Sequence, residues 1–188
     1  MRYENIVWGL EIFFLAVTVT MRFLHLGVLA LLTSLILTPA ASQAREVVSF
    51  SGYSPGTIVI KTSQRRLYYV MDDGKAIRYP VGVGRAGMGW SGTVYIDGKY
   101  IEPGWSAPAS IRKDYASLPT VVPGGSPRNP MGVAAMTLSG GGEYAIHGTN
   151  NPASVGRFVS HGCIRMYNAD VMDLYHRVSY GTRVVVLR

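Results

Sequence analysis

The residues best suited to carry out chemistry are one cysteine and two histidines in the last third of the chain. The sequence has 188 residues and a single cysteine, Cys163, which ends the run Ser160-His161-Gly162-Cys163. A second histidine, His147, precedes that run. A thiol becomes a strong nucleophile as the thiolate, and a nearby imidazole promotes its ionisation and carries the proton. The pattern therefore predicts nucleophilic catalysis by Cys163 with a histidine as its base.

The spacing leaves open which histidine is the base. On a strand, His161 and Cys163 would share one face, unless the chain turns at Gly162 between them. His147 ends a predicted strand, and strand pairing would place it opposite Cys163. Gly162 also allows a tight turn in which backbone N–H groups near Cys163 converge on an oxyanion.

Two other site types fit these residues less well. A zinc site built from His147, His161 and Cys163 lacks a C-x-x-C or H-x-x-x-H spacing and a fourth ligand, so no metal is predicted. Residues 82–87 spell G-x-G-x-x-G after a strand. The glycine-rich residues 88–92 that follow cannot open a helix, and no βαβ unit is visible, so we reject a dinucleotide site.

The elements that position these residues are predicted to be mostly strands. Asp73-Gly74 is a hairpin signal inside an antiparallel meander, and Asp97-Gly98 predicts a second hairpin. Three glycines at 140–142 separate another strand pair, which ends at His147. The predicted strands cover residues 57–62, 67–71, 76–83, 93–96, 99–101, 133–138, 144–147 and 182–187.

One substantial helix is predicted after Cys163. Asn168 is a candidate N-cap with Asp170 in the first turn, and Gly181 is expected to end the helix. The apolar stripe consists of Val171, Leu174, Tyr175 and Val178. We therefore expect a mainly-β fold, a twisted β-sandwich or partly closed barrel with one main helix.

Residues 103–131 are rich in Pro, Gly and Ser and form a long connection. Long ordered loops inside a compact domain are commonly lids or binding walls, and Trp105 and Tyr115 offer anchors. We interpret this segment as a lid over the site.

Composition and charge limit the classes of binding partner to be expected. Hydrophobic residues make up 48% and charged residues 15%, which excludes extensive disorder. The net charge of +7 comes from scattered basic residues with no RNA-binding signature, so nucleic acid is not an expected partner. An anionic wall polymer fits better if the protein is exported.

Residues 21–44 are typical of a secretory signal peptide. Arg22 provides the positive region, residues 24–37 the apolar core, and Ser42-Gln43-Ala44 a cleavage site that leaves Arg45 first. Residues 1–20 are interpreted as an extension that precedes a true start at Met21; the alternative is an uncleaved anchor from Met1. A short, loosely structured leader, 45–55, then precedes a catalytic domain at 56–188. In an exported protein, a lone thiol such as Cys163 is a flag for function.

At these motifs the sequence resembles the YkuD-type L,D-transpeptidases, particularly the ErfK/YbiS branch. The family motif is a histidine followed, after a variable stretch, by Ser/Thr-His-Gly-Cys. Three further motifs resemble that branch in order, and the likeness covers residues 56–188. They are Pro123-Gly124-Gly125, Asn129-Pro130-Met131-Gly132 and His147-Gly148-Thr149.

The resemblance implies a role for each site residue. Cys163 would be the nucleophile and His147 the acid/base, with the Gly148 carbonyl orienting the imidazole and His161 supporting the loop. The remaining candidates are arginines that would bind a substrate carboxylate, namely Arg165, where some relatives carry Asn, and Arg157.

The implied reaction occurs in the periplasm on peptidoglycan stem tetrapeptides and needs no cofactor. Cys163 would release D-Ala and form a thioester, which an amine then resolves. The acceptor is open between a 3–3 cross-link, attachment of an outer-membrane protein or lipoprotein, and D-amino acid exchange. The alternatives are a cysteine hydrolase or carboxypeptidase, and a non-catalytic wall-binding protein. Most such hydrolases place Cys before His, and simple binding gives no reason for the thiol.

Overall fold

The computed structural model describes residues 45–114, 117, 119–140 and 143–188. The predictions for the extension, the signal peptide and its cleavage site lie outside the described residues, as do Tyr115 and two of the glycines at 140–142. Within the described ranges, no helix is both long enough and apolar enough to cross a membrane.

The described residues form eleven strands, two α-helices and one 3₁₀ turn at Pro152–Ser154. The strands are β1 (Glu46–Ser49), β2 (Ile58–Lys61), β3 (Arg66–Val70), β4 (Lys75–Pro80), β5 (Val83–Gly84), β6 (Gly92–Ile101), β7 (Ala134–Leu138), β8 (Ala145–His147), β9 (Phe158–Ser160), β10 (Ile164–Arg165) and β11 (Arg183–Leu187). The helices are α1 (Ala109–Asp114) and α2 (Asn168–Arg177).

Nine of these strands make one sheet in the order β1-β4-β3-β2-β11-β6-β7-β8-β10. The strands β5 and β9 form a separate parallel pair. Pairing in the large sheet is antiparallel except for β2–β11 and β8–β10. The mainly-β prediction with one main helix after Cys163 is confirmed. The sheet stays open, with β1 and β10 as its two edges, so it does not close into a barrel.

The main core lies between the two halves of the sheet and α2. It draws side chains from β2–β4 and β11 on one side and from β6–β8 and β10 on the other. Tyr79, Met136, Ile146 and Leu174 are among its largest buried members. The predicted helix stripe is confirmed, because Val171, Leu174 and Val178 are buried in this core and Tyr175 packs against it.

The first meander and the last strand agree with their sequence patterns. Strands β2, β3 and β4 pair in series, and Asp73 and Gly74 have φ values of 59° and 64°. Positive φ at both turn residues is what a type I′ hairpin needs. Three successive buried valines fill β11 because it lies between β2 and β6 in mid-sheet.

The second predicted hairpin is wrong, because Asp97 and Gly98 lie inside the single strand β6. The strand pairs with β11 through Tyr95, then with β7, and its register shifts between Ile96 and Gly98. A Cβ on Gly98 would lie 2.3 Å from the Thr137 hydroxyl oxygen, which donates a hydrogen bond to Asp97. The Asp-Gly pair therefore makes a bulge that moves β6 from one half of the sheet to the other.

The predicted ends of α2 also need correction. The N-cap position is Tyr167, without a side-chain cap, while the Asn168 side-chain oxygen accepts a hydrogen bond from the Thr149 N–H at 2.9 Å. The helix ends at Arg177 because Val178 is extended, before Gly181 is reached. Asn168 therefore supports the chain that follows His147 instead of capping its own helix.

The segment predicted as a loosely structured leader is ordered. It forms β1, which pairs with β4 along the sheet edge. Phe50 stacks on Tyr68 with ring centroids 4.4 Å apart, and Val48 and Tyr53 pack against the same cluster. The segment is ordered because it covers an apolar face of the sheet that would otherwise be exposed.

Candidate active site

Cys163 lies in a tight loop between β9 and β10. Gly162 has a φ of 122°, a conformation that favours glycine. The buried Ser160 hydroxyl donates to the Cys163 carbonyl at 2.6 Å and accepts the Gly162 N–H at 3.1 Å. Ser160 therefore closes the loop that presents the thiol.

His147 ends β8, and Cys163 directly precedes β10, the strand that pairs with β8. In the parallel pair β8–β10, Arg165 is the register partner of His147 and Ile164 that of Ile146. Directly paired residues of neighbouring strands project to one face, so Arg165 and His147 share a face. Cys163 lies two residues before Arg165 in the loop, and the Arg165 charge acts on both Cys163 and His147.

The His147 imidazole is buried, oriented by a backbone carbonyl and neutral. It is buried, and its Nδ1 lies 2.6 Å from the Gly148 carbonyl oxygen, which can only accept, so Nδ1 carries the proton and Nε2 has the lone pair. Burial, followed by the Arg165 charge, lowers the His147 pKa to about 4 against the opposing carbonyls of Gly148 and Met131. The imidazole is therefore uncharged at neutral pH.

The Cys163 thiol is half-buried and enclosed by backbone. Its sulfur lies 3.6 Å from the Glu143 carbonyl, and the Ala145 backbone also hydrogen-bonds to it. Burial raises the pKa of the thiol, which the Ala145 backbone and the Arg165 charge offset only partly. The resting site thus combines a protonated thiol with a neutral imidazole.

His161 contacts a charged cluster formed with Asp114 and Arg85. Its Nε2 lies 2.8 Å from the Asp114 carboxylate and 3.0 Å from an Arg85 nitrogen, and Arg85 also pairs with Asp114. Hydrogen bonds from His161 first, then from Arg85, lower the pKa of Asp114. This cluster ties the nucleophile's loop to the end of α1, so the predicted lid segment does reach the site.

Trp90 and Tyr144 are site residues that the sequence analysis missed. The Trp90 indole Nε1 donates to the Gly162 carbonyl at 3.0 Å. Its ring stacks on Tyr144 with centroids 5.0 Å apart and 5° between the planes. A Cβ on Gly162 would lie 2.3 Å from the Tyr144 ring. The sequence predicted a tight turn at Gly162, but no spacing pattern linked that residue to Trp90.

The two predicted substrate arginines differ in placement. Arg165 is half-buried, and its backbone exchanges two hydrogen bonds of 2.8 Å with Gly82. Its charge lowers the pKa of both His147 and Cys163, so it lies near both. Arg157 is exposed before β9, which pairs with β5 and not with the β8–β10 pair.

The glycine-rich run at 82–87 braces the nucleophile's loop. Its residues form β5 against β9, and the Arg85 N–H donates to the Ser160 carbonyl at 2.9 Å. The next element is β6 and not a helix, in line with rejection of a dinucleotide site. Among the described residues, no group of three or more His, Cys, Asp or Glu side chains is arranged to hold a metal ion.

A cleft of about 220 Å³ is lined in part by residues that shortly follow His147 in the chain. Its lining mixes polar and apolar groups and includes Glu102, Ser126, Asn129, Thr149 and Asn150. Cys163 and His147 do not line it. The cleft thus borders the segment that follows the candidate base and is separate from the thiol.

Comparisons with known proteins show the family of the chain. The L,D-transpeptidase catalytic domain of the YkuD family matches residues 55–186. The probable L,D-transpeptidase ErfK/SrfK of Escherichia coli K12 is 40% identical over 139 residues, which are 69% of this chain and 43% of that protein. The chain therefore spans less than half the length of that relative.

Two solved structures are also similar. A Mycobacterium smegmatis L,D-transpeptidase has a TM-score of 0.55 at 21% identity, over 70% of this chain and 58% of that one, which shows the fold. A Brucella melitensis protein described as a probable carnitine operon oxidoreductase is 40% identical, with a TM-score of 0.52 over 80% of this chain and 96% of that one. No βαβ dinucleotide-binding unit occurs among the residues described here.

Proposed function

Because the chain belongs to the YkuD family of L,D-transpeptidase catalytic domains, we propose that it transfers acyl groups between peptidoglycan stem peptides. Cys163 is the nucleophile and His147 the general base. The observation that carries this proposal is the buried, neutral His147, fixed through Nδ1 by Gly148 at the end of β8, which pairs with the strand that Cys163 directly precedes.

The first step forms a thioester. The sulfur attacks the carbonyl of the third stem residue while Nε2 of His147 takes the thiol proton. The Cys163 N–H stabilises the resulting oxyanion. When the intermediate collapses, the C–N bond breaks, and the imidazolium gives its proton to the departing amine of D-Ala. The enzyme then carries a tripeptidyl thioester.

The second step resolves that thioester. A primary amine attacks the carbonyl, His147 takes the amine's proton, and the thiol leaves with a proton returned by the imidazolium. A stem-peptide amine as acceptor gives a 3–3 cross-link. An outer-membrane protein or lipoprotein would become anchored, and a free D-amino acid would replace the released D-Ala.

Proton transfer accompanies the attack. A preformed thiolate–imidazolium pair would require a lowered thiol pKa and a raised imidazole pKa, whereas burial acts in the opposite direction on both Cys163 and His147. The neutral pair is therefore the resting state, and His147 acts as a general base during bond formation.

Arg165 is the first candidate to bind a substrate carboxylate. Stem peptides carry free carboxylates, and Arg165 pairs with His147 across the strands while its charge acts on both His147 and Cys163. The exposed Arg157 is the second candidate. The periplasm is the proposed location, supported by the signal-peptide pattern at residues 21–44.

Product analysis tests the proposal. The purified exported protein is incubated with a stem tetrapeptide, with and without an amine acceptor, and the products are identified by mass spectrometry. We expect release of D-Ala and, with the amine present, an amide product that contains the tripeptide. Tripeptide acid alone, in both conditions, would instead identify a hydrolase or carboxypeptidase.

A further inference from the structure

Trp90 controls the orientation of the peptide that precedes the nucleophile. Its indole N–H donates to the Gly162 carbonyl at 3.0 Å. The Gly162–Cys163 peptide is planar and trans, so its carbonyl and its N–H point in opposite directions. By holding the carbonyl, Trp90 therefore also sets the direction of the Cys163 N–H.

Tyr144 holds the same peptide from a second side. Its ring lies on Gly162 and stacks on Trp90, with 5° between the ring planes. In the chain it lies between Glu143 and Ala145, whose backbone groups both contact the sulfur. One aromatic stack thus connects the peptide before Cys163 with the backbone around its thiol.

The other candidate amide of this loop, the Gly162 N–H, already has a hydrogen-bond acceptor. The Gly162 N–H donates to Ser160 Oγ, so the Cys163 N–H is the one of the two that can bind an oxyanion. We propose that Trp90 and Tyr144 are positioning residues that aim the Cys163 N–H at the oxyanion during acylation. This proposal rests on the thioester chemistry proposed above.

Two reactions of the same thiol separate this role from others. Acylation by a stem tetrapeptide creates an oxyanion and needs the aimed N–H, whereas alkylation by iodoacetamide forms no oxyanion and reports only thiol ionisation and access. Removal of a single oxyanion donor costs about 100- to 1000-fold, so a misaimed donor should cost about 10- to 100-fold.

Trp90→Phe keeps an aromatic ring and removes the N–H donor. We expect its acylation rate to fall 10- to 100-fold through kcat, with KM little changed. The pH profile of iodoacetamide alkylation should stay within about twofold of that of the unsubstituted protein. Tyr69→Phe is the matched control, because it removes another aromatic donor to a backbone carbonyl, that of Arg177 at 3.2 Å.

Acylation by Trp90→Phe at the control's rate would overturn the proposal, as would an equal loss in acylation and alkylation. If Trp90→Phe does not fold, Tyr144→Leu gives the same test, because it removes the stack and retains apolar volume. The selective loss of acylation is again expected, and its absence is contradictory. If the unsubstituted protein itself forms no acyl-enzyme, the proposed function has failed instead.

Discussion

Burial shifts the pKa values of the two central residues, His147 and Cys163, in opposite directions. Burial lowers the pKa of His147 to about 4 and raises that of the Cys163 thiol. Both groups are therefore uncharged at neutral pH. Activation then depends on geometry and not on a permanently charged pair.

A pH profile follows from these pKa values. The folded pKa of His147 is depressed, so its neutral form persists as the pH falls and is lost only near 4. We expect kcat/KM for acylation to be flat from about pH 5 to 8 and to fall as the pH drops below about 5. We also expect no thiolate absorbance at 240 nm at pH 7. A limb near the ordinary imidazole pKa together with thiolate absorbance at pH 7 would contradict the neutral pair.

Alanine substitutions of the two histidines should slow acylation to different extents. His147→Ala removes the base and should slow acylation by about 100- to 10,000-fold. His161→Ala should act more weakly, through the loop, and Asp114→Asn should reproduce its effect because both changes break the same cluster. Acylation rates of the two variants check the roles, and a larger loss in His161→Ala than in His147→Ala would reverse them.

Substrate selectivity tests Arg165. Loss of a charged hydrogen bond to a carboxylate should slow acylation about ten- to a hundredfold in Arg165→Ala, with little recovery in Arg165→Lys if the contact is bidentate. The measurement compares the tetrapeptide acid with its C-terminal amide, alongside thermal unfolding. A variant that unfolds easily yet still prefers the acid would make Arg165 part of the scaffold.

At this scale, the sequence was informative where chemistry and spacing coincide. A lone thiol near two histidines predicts a Cys/His site, and the family resemblance implies which histidine is the base. Trp90, Tyr144, Arg85 and Asp114 come from distant segments, and their contacts exist only once the strands are paired. No local periodicity encodes such contacts.

At the scale of elements, turn signals proved ambiguous where tertiary contacts decide. Asp73-Gly74 makes the predicted hairpin, while Asp97-Gly98 makes a bulge inside β6. The two dipeptides look alike locally. The second is set by Thr137 on the neighbouring strand, whose hydroxyl requires the missing side chain at Gly98.

Asn168 provides a test at this scale. Its side-chain oxygen accepts the N–H of the buried Thr149, so Asn168→Ala should destabilise the fold by about 1–3 kcal/mol by leaving that N–H unsatisfied. Asn168→Asp retains an acceptor and is the matched control. Urea unfolding measures both. Equal stability of Asn168→Ala and the unsubstituted protein would show that this bond does not support the segment after His147.

At the scale of the whole molecule, the nucleophile lies beside an edge of the open sheet. Strand β10 is the last in the order, so the loop that precedes it is not covered by a further strand of that sheet. Runs of β-branched residues between turn signals allowed a mainly-β fold to be predicted. The path of β6 between the two halves, and the ordered cover from β1, depend on long-range packing that residue patterns do not contain.

The most direct test of the account is the mass of the acyl-enzyme. The intact protein, incubated with a stem tetrapeptide, should gain the mass of the peptide minus D-Ala, on Cys163 alone, in a bond that hydroxylamine cleaves. Cys163→Ser, purified from a host without the original enzyme, should keep the fold and show neither adduct nor turnover. Substantial turnover by that variant, or an adduct on another residue, would contradict Cys163 as the nucleophile.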